Sequence, residues 1–342
     1  MNKYLKYGLS ILLIPASIQA AEIKYLPAPK EKANNVGVMS EIYIDGDIDS
    51  QTLLGIKNIV DKNKLNQAMI IINSDGGNLY EATQIGLYIR ENNFTTDVGT
   101  YSGVWGESLA GECYSSCVYL YIGGKYRFYD KNSKFGVHQF YTVNKNNKNN
   151  TNLEESTQYV ASYLLTYIRD MGVDVALFNK VSEQTSDDIE LLDYEEMKKM
   201  RIFNDGYLVP EWEYLVNEDG VFYVGTQEQL DQEGVFVFGC RSKSINLTFL
   251  TSYPSANRNK FSSYLYIDDE KIDITSKVKD AEISDDILTS SYAPTAYELL
   301  KMMKSEYIGY SYEINKSQFE FYIDLEKNVK EKILQLSDFC KI

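Results

Sequence analysis

The sequence predicts an α/β fold built on a parallel sheet, followed by a smaller β-rich, antiparallel C-terminal domain. Three observations carry that expectation. Strand-like and helix-like runs alternate from Glu41 to Phe140, the pattern of βαβ units. Ala68-Met69-Ile70-Ile71-Ile72 is a continuous apolar run, as a strand buried on both faces requires. After Tyr207 the pattern changes to short β-rich runs separated by polar turns, which suits an antiparallel domain. A chain of 342 residues is long enough for two such domains, each with its own core.

Taken in order, the chain opens with Lys3 and Lys6 before an apolar stretch from Gly8 to Ile14, then Pro15-Ala16-Ser17-Ile18-Gln19-Ala20-Ala21. A short basic region, a brief apolar run and small residues read as a secretory signal peptide over 1–20. Its removal takes two lysines and no acids, moving the formal charge from −15 to −17. An exported, periplasmic or extracellular protein is therefore expected. Residues 21–37 are polar, carry Pro27 and Pro29, and read as a tether.

The catalytic-type domain is placed over 38–208. Glu41 to Gly46 is a strand stopped by glycine, and Gln51 to Val60 has apolar residues at helical spacing. The buried strand ends in Asn73-Ser74-Asp75-Gly76-Gly77, and Asn78 with Glu81 marks a capped helix through Ile89. Phe94 to Tyr101 is a strand, Ser115 to Ile122 a helix, and Lys134 to Phe140 a short strand. Asn144 to Asn152 reads as a surface loop, with helices over Glu154 to Met171 and Asp193 to Met200. The β domain, 209–342, has strand runs at Val221–Val224, Val235–Phe238, Leu247–Leu250, Tyr264–Ile267 and Phe319–Ile323.

Composition narrows function. With 34 basic against 49 acidic residues, the surface repels phosphate backbones, which argues against nucleic acid or an anionic membrane as partner. There is one histidine, His138, so any catalytic imidazole is that one. Export makes disulfides the default for Cys113, Cys117, Cys240 and Cys340. The simplest pairing is Cys240 with Cys340, closing a loop of about 100 residues and contributing on the order of 4 kcal/mol. Cys113 and Cys117 would share a face if helical; they are bridged or they pack as small residues, and both readings stand.

Three local features then fall into order: Gly76-Gly77 ending a buried strand before a helix, Cys113-Tyr114-Ser115-Ser116-Cys117 at a helix start, and Val137-His138-Gln139 after the next strand. In this spacing residues 38–206 resemble the Clp-type serine peptidases of the ClpP/crotonase superfamily, and more narrowly exported ClpP-like proteins with a Cys-x-Ser-x-Cys nucleophile segment. The matching parts are the Ser74-Asp75-Gly76-Gly77 turn, a serine opening a helix that ends at Gly123-Gly124, and His138-Gln139. The resemblance implies Ser115 as nucleophile, with Ser116 the alternative, and His138 as general base. It implies Asp188 as the acid, with Asp187 next in line, and an oxyanion hole of main-chain N–H groups at Gly76, Gly77 and Ser116. It departs from the family at Cys117, which replaces a glycine.

Peptide hydrolysis by such a Ser-His-Asp triad needs no metal or organic cofactor. The implied substrates are peptides or unfolded proteins, a homo-oligomer is in keeping with the family, and no ATPase partner is expected outside the cytoplasm. The crotonase branch, which acts on acyl-CoA, fits export poorly. The contrasting expectation is a catalytically inactive scaffold that binds a partner in the envelope.

Overall fold

The computed structural model describes residues 20–32, 37–140, 150–185, 188–230, 232–241, 243–252, 261–284, 287–314 and 317–340. The signal-peptide reading lies outside these residues, except that Ala20 already bridges to Asp47. Among the described residues no helix is long and apolar enough to cross a membrane. The chain forms two compact units that divide between Phe203 and Asn204, a few residues before the position read from the sequence.

In the first unit the elements are β1 (Glu22–Leu26), β2 (Ser40–Asp45), α1 (Thr52–Asn63), β3 (Ala68–Asn73), α2 (Leu79–Glu91), β4 (Thr95–Tyr101) and β5 (Ser108–Ala110). After them come β6 (Glu112–Tyr114), α3 (Cys117–Tyr121), β7 (Lys134–Val137), α4 (Asn150–Asp170), α5 (Ala176–Glu183), β8 (Glu190–Leu191) and α6 (Tyr194–Lys199). One sheet runs β1-β2-β3-β4-β5 and a second runs β6-β7-β8. Strands β2, β3 and β4 are parallel, and so are β6 and β7.

The tether is corrected at its start. Glu22–Leu26 pairs antiparallel with β2, Glu22 opposite Asp45. Ile23, Tyr25 and Leu26 give that segment enough apolar surface to hold a sheet edge, and Ile23 and Tyr25 pack on the core. The loop read over Asn144 to Asn152 falls largely outside the described residues, and Asn150 already opens α4. Asn78 caps α2 as its position predicts, its side chain accepting from Glu81 N.

Arg90 and Arg127 hold the ends of this unit's helices together. Arg127 is 3% exposed and donates to the carbonyls of Gly124, Met171, Arg201 and Ile202. Arg90 donates to those of Ile122, Gly123, Gly124 and Met171. The carbonyls belong to the C-terminal ends of α3, α4 and α6, where main-chain acceptors lack helical partners and the dipole favours a cation. Burial pushes the Arg127 guanidinium down to about 10, still charged at neutral pH.

The second unit is a pair of antiparallel sheets. Strands β9 (Glu211–Asn217), β10 (Gly220–Glu228), β11 (Glu233–Arg241), β12 (Ser244–Ser252), β13 (Ser262–Ile267), β14 (Glu270–Asp273), β15 (Lys279–Ser284) and β16 (Ile287–Tyr292) precede helix α7 (Ala296–Met302). Strands β17 (Tyr307–Ile314) and β18 (Ser317–Asp324) and helix α8 (Lys327–Phe339) complete it. Their orders are β15-β16-β12-β11-β10-β9 and β14-β13-β17-β18. Both helices escaped the strand-only reading, although Thr295 and Glu298 form a reciprocal capping box before α7. Cys240 on β11 is bonded to Cys340 at the end of α8, so the clamp joins a helix to the sheet. Val329, Ile333 and Leu336 of α8 bury their side chains with Phe236, Phe238 and Phe249.

Replacing Arg127 with Leu removes its donors from the Arg201 and Ile202 carbonyls and leaves Gly124 O and Met171 O to Arg90 alone. We expect a loss of about 3 kcal/mol or more in the chemical unfolding of the first unit, since buried acceptors left unpaired cost about 1–3 kcal/mol each and neighbours relax only partly.

A second expectation concerns pH. Burial raises the Asp97 carboxyl to about 6, although Val98 N and Ser108 Oγ both donate to it. The folded state thus holds that proton more tightly than the unfolded chain, and Asp97 contributes stability at low pH that is lost as pH rises through about 6. Asp97→Asn should therefore melt higher than wild type at about pH 7.5 and equally at about pH 4, read by calorimetry at both values.

Candidate active site

The site grows from the C-terminal end of β3. Ser74 N–H donates to Glu112 O and Tyr114 N–H to Ser74 O, which ties the turn after β3 to β6. Gly76 and Gly77 follow with φ of 114° and 136°, the left-handed half of the map that glycine occupies without steric cost. At Gly77 a Cβ would press into the main chain of Ile48, 2.7 Å from its nitrogen. Ile48 N–H donates to Gly76 O and Asn78 N–H to Ile48 O, so the turn is held on that side.

The two glycines are not equivalent. Gly76 N–H donates to Ser74 Oγ at 3.1 Å, which removes it from the oxyanion set read from the sequence. Gly77 N–H has no acceptor among the described residues. Neither has Ser116 N–H, and both residues line one cavity of about 720 Å³.

Ser115 is not helical, as the run from Ser115 to Ile122 suggested. It sits at φ 57° between β6 and α3, in a sharp turn from strand to helix, and its N–H donates to Gly136 O at 3.0 Å. Ser115 is half-buried on the cavity wall, whereas Ser116 is 3% exposed and its Oγ is buried with no partner among the described residues. That contrast favours Ser115 over Ser116 as the reacting hydroxyl. Cys113 ends up on β6 and Cys117 at the start of α3, joined as a disulfide. They do not share a helical face.

His138 follows β7 and lines the same cavity. Its Nδ1 lies 2.8 Å from Gln139 O. A carbonyl only accepts, so Nδ1 carries the proton and Nε2 is left as a base. Gln139 is fixed in turn: its Nε2 donates to Ser182 O and its N–H to Gln184 O at the end of α5. No hydrogen bond joins Ser115 to His138 among the described residues.

Asp188 is not brought to His138. It is exposed and accepts from Thr185 Oγ1 at 3.4 Å, so the structure supplies a main-chain carbonyl, not this carboxylate, as the orienting group. Asp187 lies outside the described residues. Sequence reasoning had no signal for a carbonyl in this role, because every residue carries one. The rest of the wall is mostly apolar and aromatic, including Leu79, Tyr119, Phe140, Val160 and Tyr163, with Asn78, Thr83 and Gln84 as polar members and Asp75 the one carboxylate among the described residues. Among the described residues no group of three or more His, Cys, Asp or Glu could hold a metal ion.

No family model and no curated protein matches the chain. Among solved structures it is similar to a serine-to-alanine mutant of the 1510-N membrane-bound stomatin-specific protease, at 16% identity over 47% of this chain and 75% of that one, with a TM-score of 0.35. It is similar to ClpP1 from Listeria monocytogenes at 16% identity over 48% of this chain and 88% of that one, with a TM-score of 0.36. At these scores nothing about the chemistry of this chain is carried over from them.

A carboxylate that orients a triad histidine is worth about 10⁴-fold in turnover when made an amide. With the Gln139 carbonyl in that place, we expect Asp188→Asn to leave any hydrolytic turnover within about twofold of wild type, measured for both chains on one fluorogenic peptide library.

Proposed function

We propose that the chain is an exported serine hydrolase, a ClpP-like peptidase that works without an ATPase, with Ser115 as nucleophile and His138 as general base. The observation that carries this reading is the convergence on one cavity of a half-buried serine in a left-handed turn, a histidine with Nε2 available, and two unpartnered main-chain N–H groups.

The chemistry follows from those parts. A serine hydroxyl is a weak nucleophile, so Ser115 Oγ would pass its proton to His138 Nε2 as it attacks a carbonyl. The developing oxyanion would be received by Gly77 and Ser116 N–H, donors worth about 10²–10³-fold each in comparable sites. His138 would then return its proton to the leaving amine, and water would release the acyl group by the same steps in reverse order. The apolar walls suit an extended peptide or unfolded chain better than a charged metabolite.

A second reading, an inactive scaffold that binds a partner in the envelope, is favoured by one observation: among the described residues no hydrogen bond joins Ser115 to His138. A fluorophosphonate probe separates the two. Under the hydrolase reading wild type labels at Ser115, while Ser115→Ala and His138→Ala lose labelling by about 10³-fold or more and pairing them adds little, because such residues act as a unit. A wild-type chain that remains unlabelled would leave the scaffold.

A further inference from the structure

We propose that the Cys113–Cys117 disulfide is a positioning device for the nucleophile, holding Ser115 and the Ser116 N–H in register with the turn at Gly76 and Gly77. The proposal rests on the hydrolase reading above. The bond closes a five-residue ring with Ser115 at its centre, the two Cα atoms 5.4 Å apart. Ser115 holds a φ of 57°, a conformation that residues other than glycine adopt rarely and only when their surroundings enforce it.

The surroundings enforce it unequally. On the strand side, Tyr114 N–H is bonded to Ser74 O and Ser115 N–H to Gly136 O, each at 3.0 Å. On the helix side, Ser115 and Ser116 carbonyls receive only Val118 and Tyr119 N–H, from α3 itself. That helix has five residues, too few to hold its own first turn without help. The disulfide is the covalent tie between the two sides. Behind it the chain has no slack: a Cβ on Gly76 would stand 2.8 Å from Ser115 Cβ and 3.2 Å from Ser116 N.

Sequence separation indicates what such a bond is for. Chain-entropy stabilisation grows with loop length, and this bond spans a separation of 4, against 100 for Cys240–Cys340. By that relation its restraint of the unfolded chain is less than half that of Cys240–Cys340, so local geometry carries a larger share of its effect. Both sulfur-bearing residues are fully buried, so reductants reach the bond only when the unit opens. It is a fixture, not a redox switch.

The test compares four full-length chains by the rate of fluorophosphonate labelling: wild type, Cys113→Ala/Cys117→Ala, the repacked Cys113→Val/Cys117→Ala, and Cys240→Ala/Cys340→Ala. Near-ultraviolet circular dichroism reports folding. Loosening a reacting group by about 1 Å costs on the order of 10²-fold, so that fall is expected in the saturated labelling rate of both 113/117 variants, with probe affinity held within about threefold. The 240/340 variant should label at the wild-type rate while melting lower. Folded 113/117 variants that label as fast as wild type overturn the proposal.

If neither variant folds, Cys240→Ala/Cys340→Ala reduced by a trialkylphosphine in mild denaturant and returned to buffer with the reductant kept present gives the same comparison, with only the 113/117 bond opened. A wild-type rate there also overturns it. An unlabelled wild type removes the hydrolase reading itself and is told apart by that.

Discussion

The first unit depends on two guanidinium groups placed where three helices end. Arg127 and Arg90 donate to the closing carbonyls of α3, α4 and α6, and a buried cation there meets partial negative charge from each helix. Ion burial is costly unless every donor is used, and these planar groups reach several carbonyls at once. Of the three helices α3 bears most directly on the chemistry, since Ser115 precedes its first turn. Fixing its far end at Ile122, Gly123 and Gly124 therefore fixes the direction in which the serine turn is presented.

Around that turn, hydrogen bonding separates structural main chain from chemically available main chain. Almost every buried N–H in a folded protein is paired. Here Ser74 Oγ occupies Gly76 N–H, Gly136 O occupies Ser115 N–H, and Ile48 holds the groups on either side of Gly77. Gly77 and Ser116 are left with open donors at one cavity. In the hydrolase reading such a pair would receive negative charge, and it owes nothing to side-chain identity beyond the absence of a Cβ at Gly77 and the turn at Ser115.

These features were legible in the sequence to different depths. The run Ala68–Ile72 and the Asn78 cap declare a parallel strand and its helix locally, and the structure has both. Ile23 and Tyr25 could not declare β1, because an edge strand among prolines looks like a linker until its partner β2 is known. Helix α8 was hidden by charge: Lys327, Lys330, Glu331 and Lys332 mask the spacing of Val329, Ile333 and Leu336. Ser115 and His138 stand out in the sequence because a serine between cysteines and the one histidine are chemically distinctive, and the structure puts both on one cavity. The split between Gly76 and Gly77 was not, since it is decided by which N–H Ser74 captures.

The orienting group of His138 was beyond sequence for a deeper reason. A search for an acid presumes that imidazole orientation requires a charge, and it led to Asp188, which accepts from Thr185 instead. The carbonyl of Gln139 does the orienting through a dipole, anchored by Ser182 and Gln184. A carbonyl selects the tautomer as a carboxylate does, because both only accept, but a carbonyl dipole carries no full charge to set against a cation. In the hydrolase reading, the transition state would then lean more heavily on Gly77 and Ser116, whose donors act on the opposite charge. The precision with which the serine turn is held would matter more in such a site than in one with a full triad.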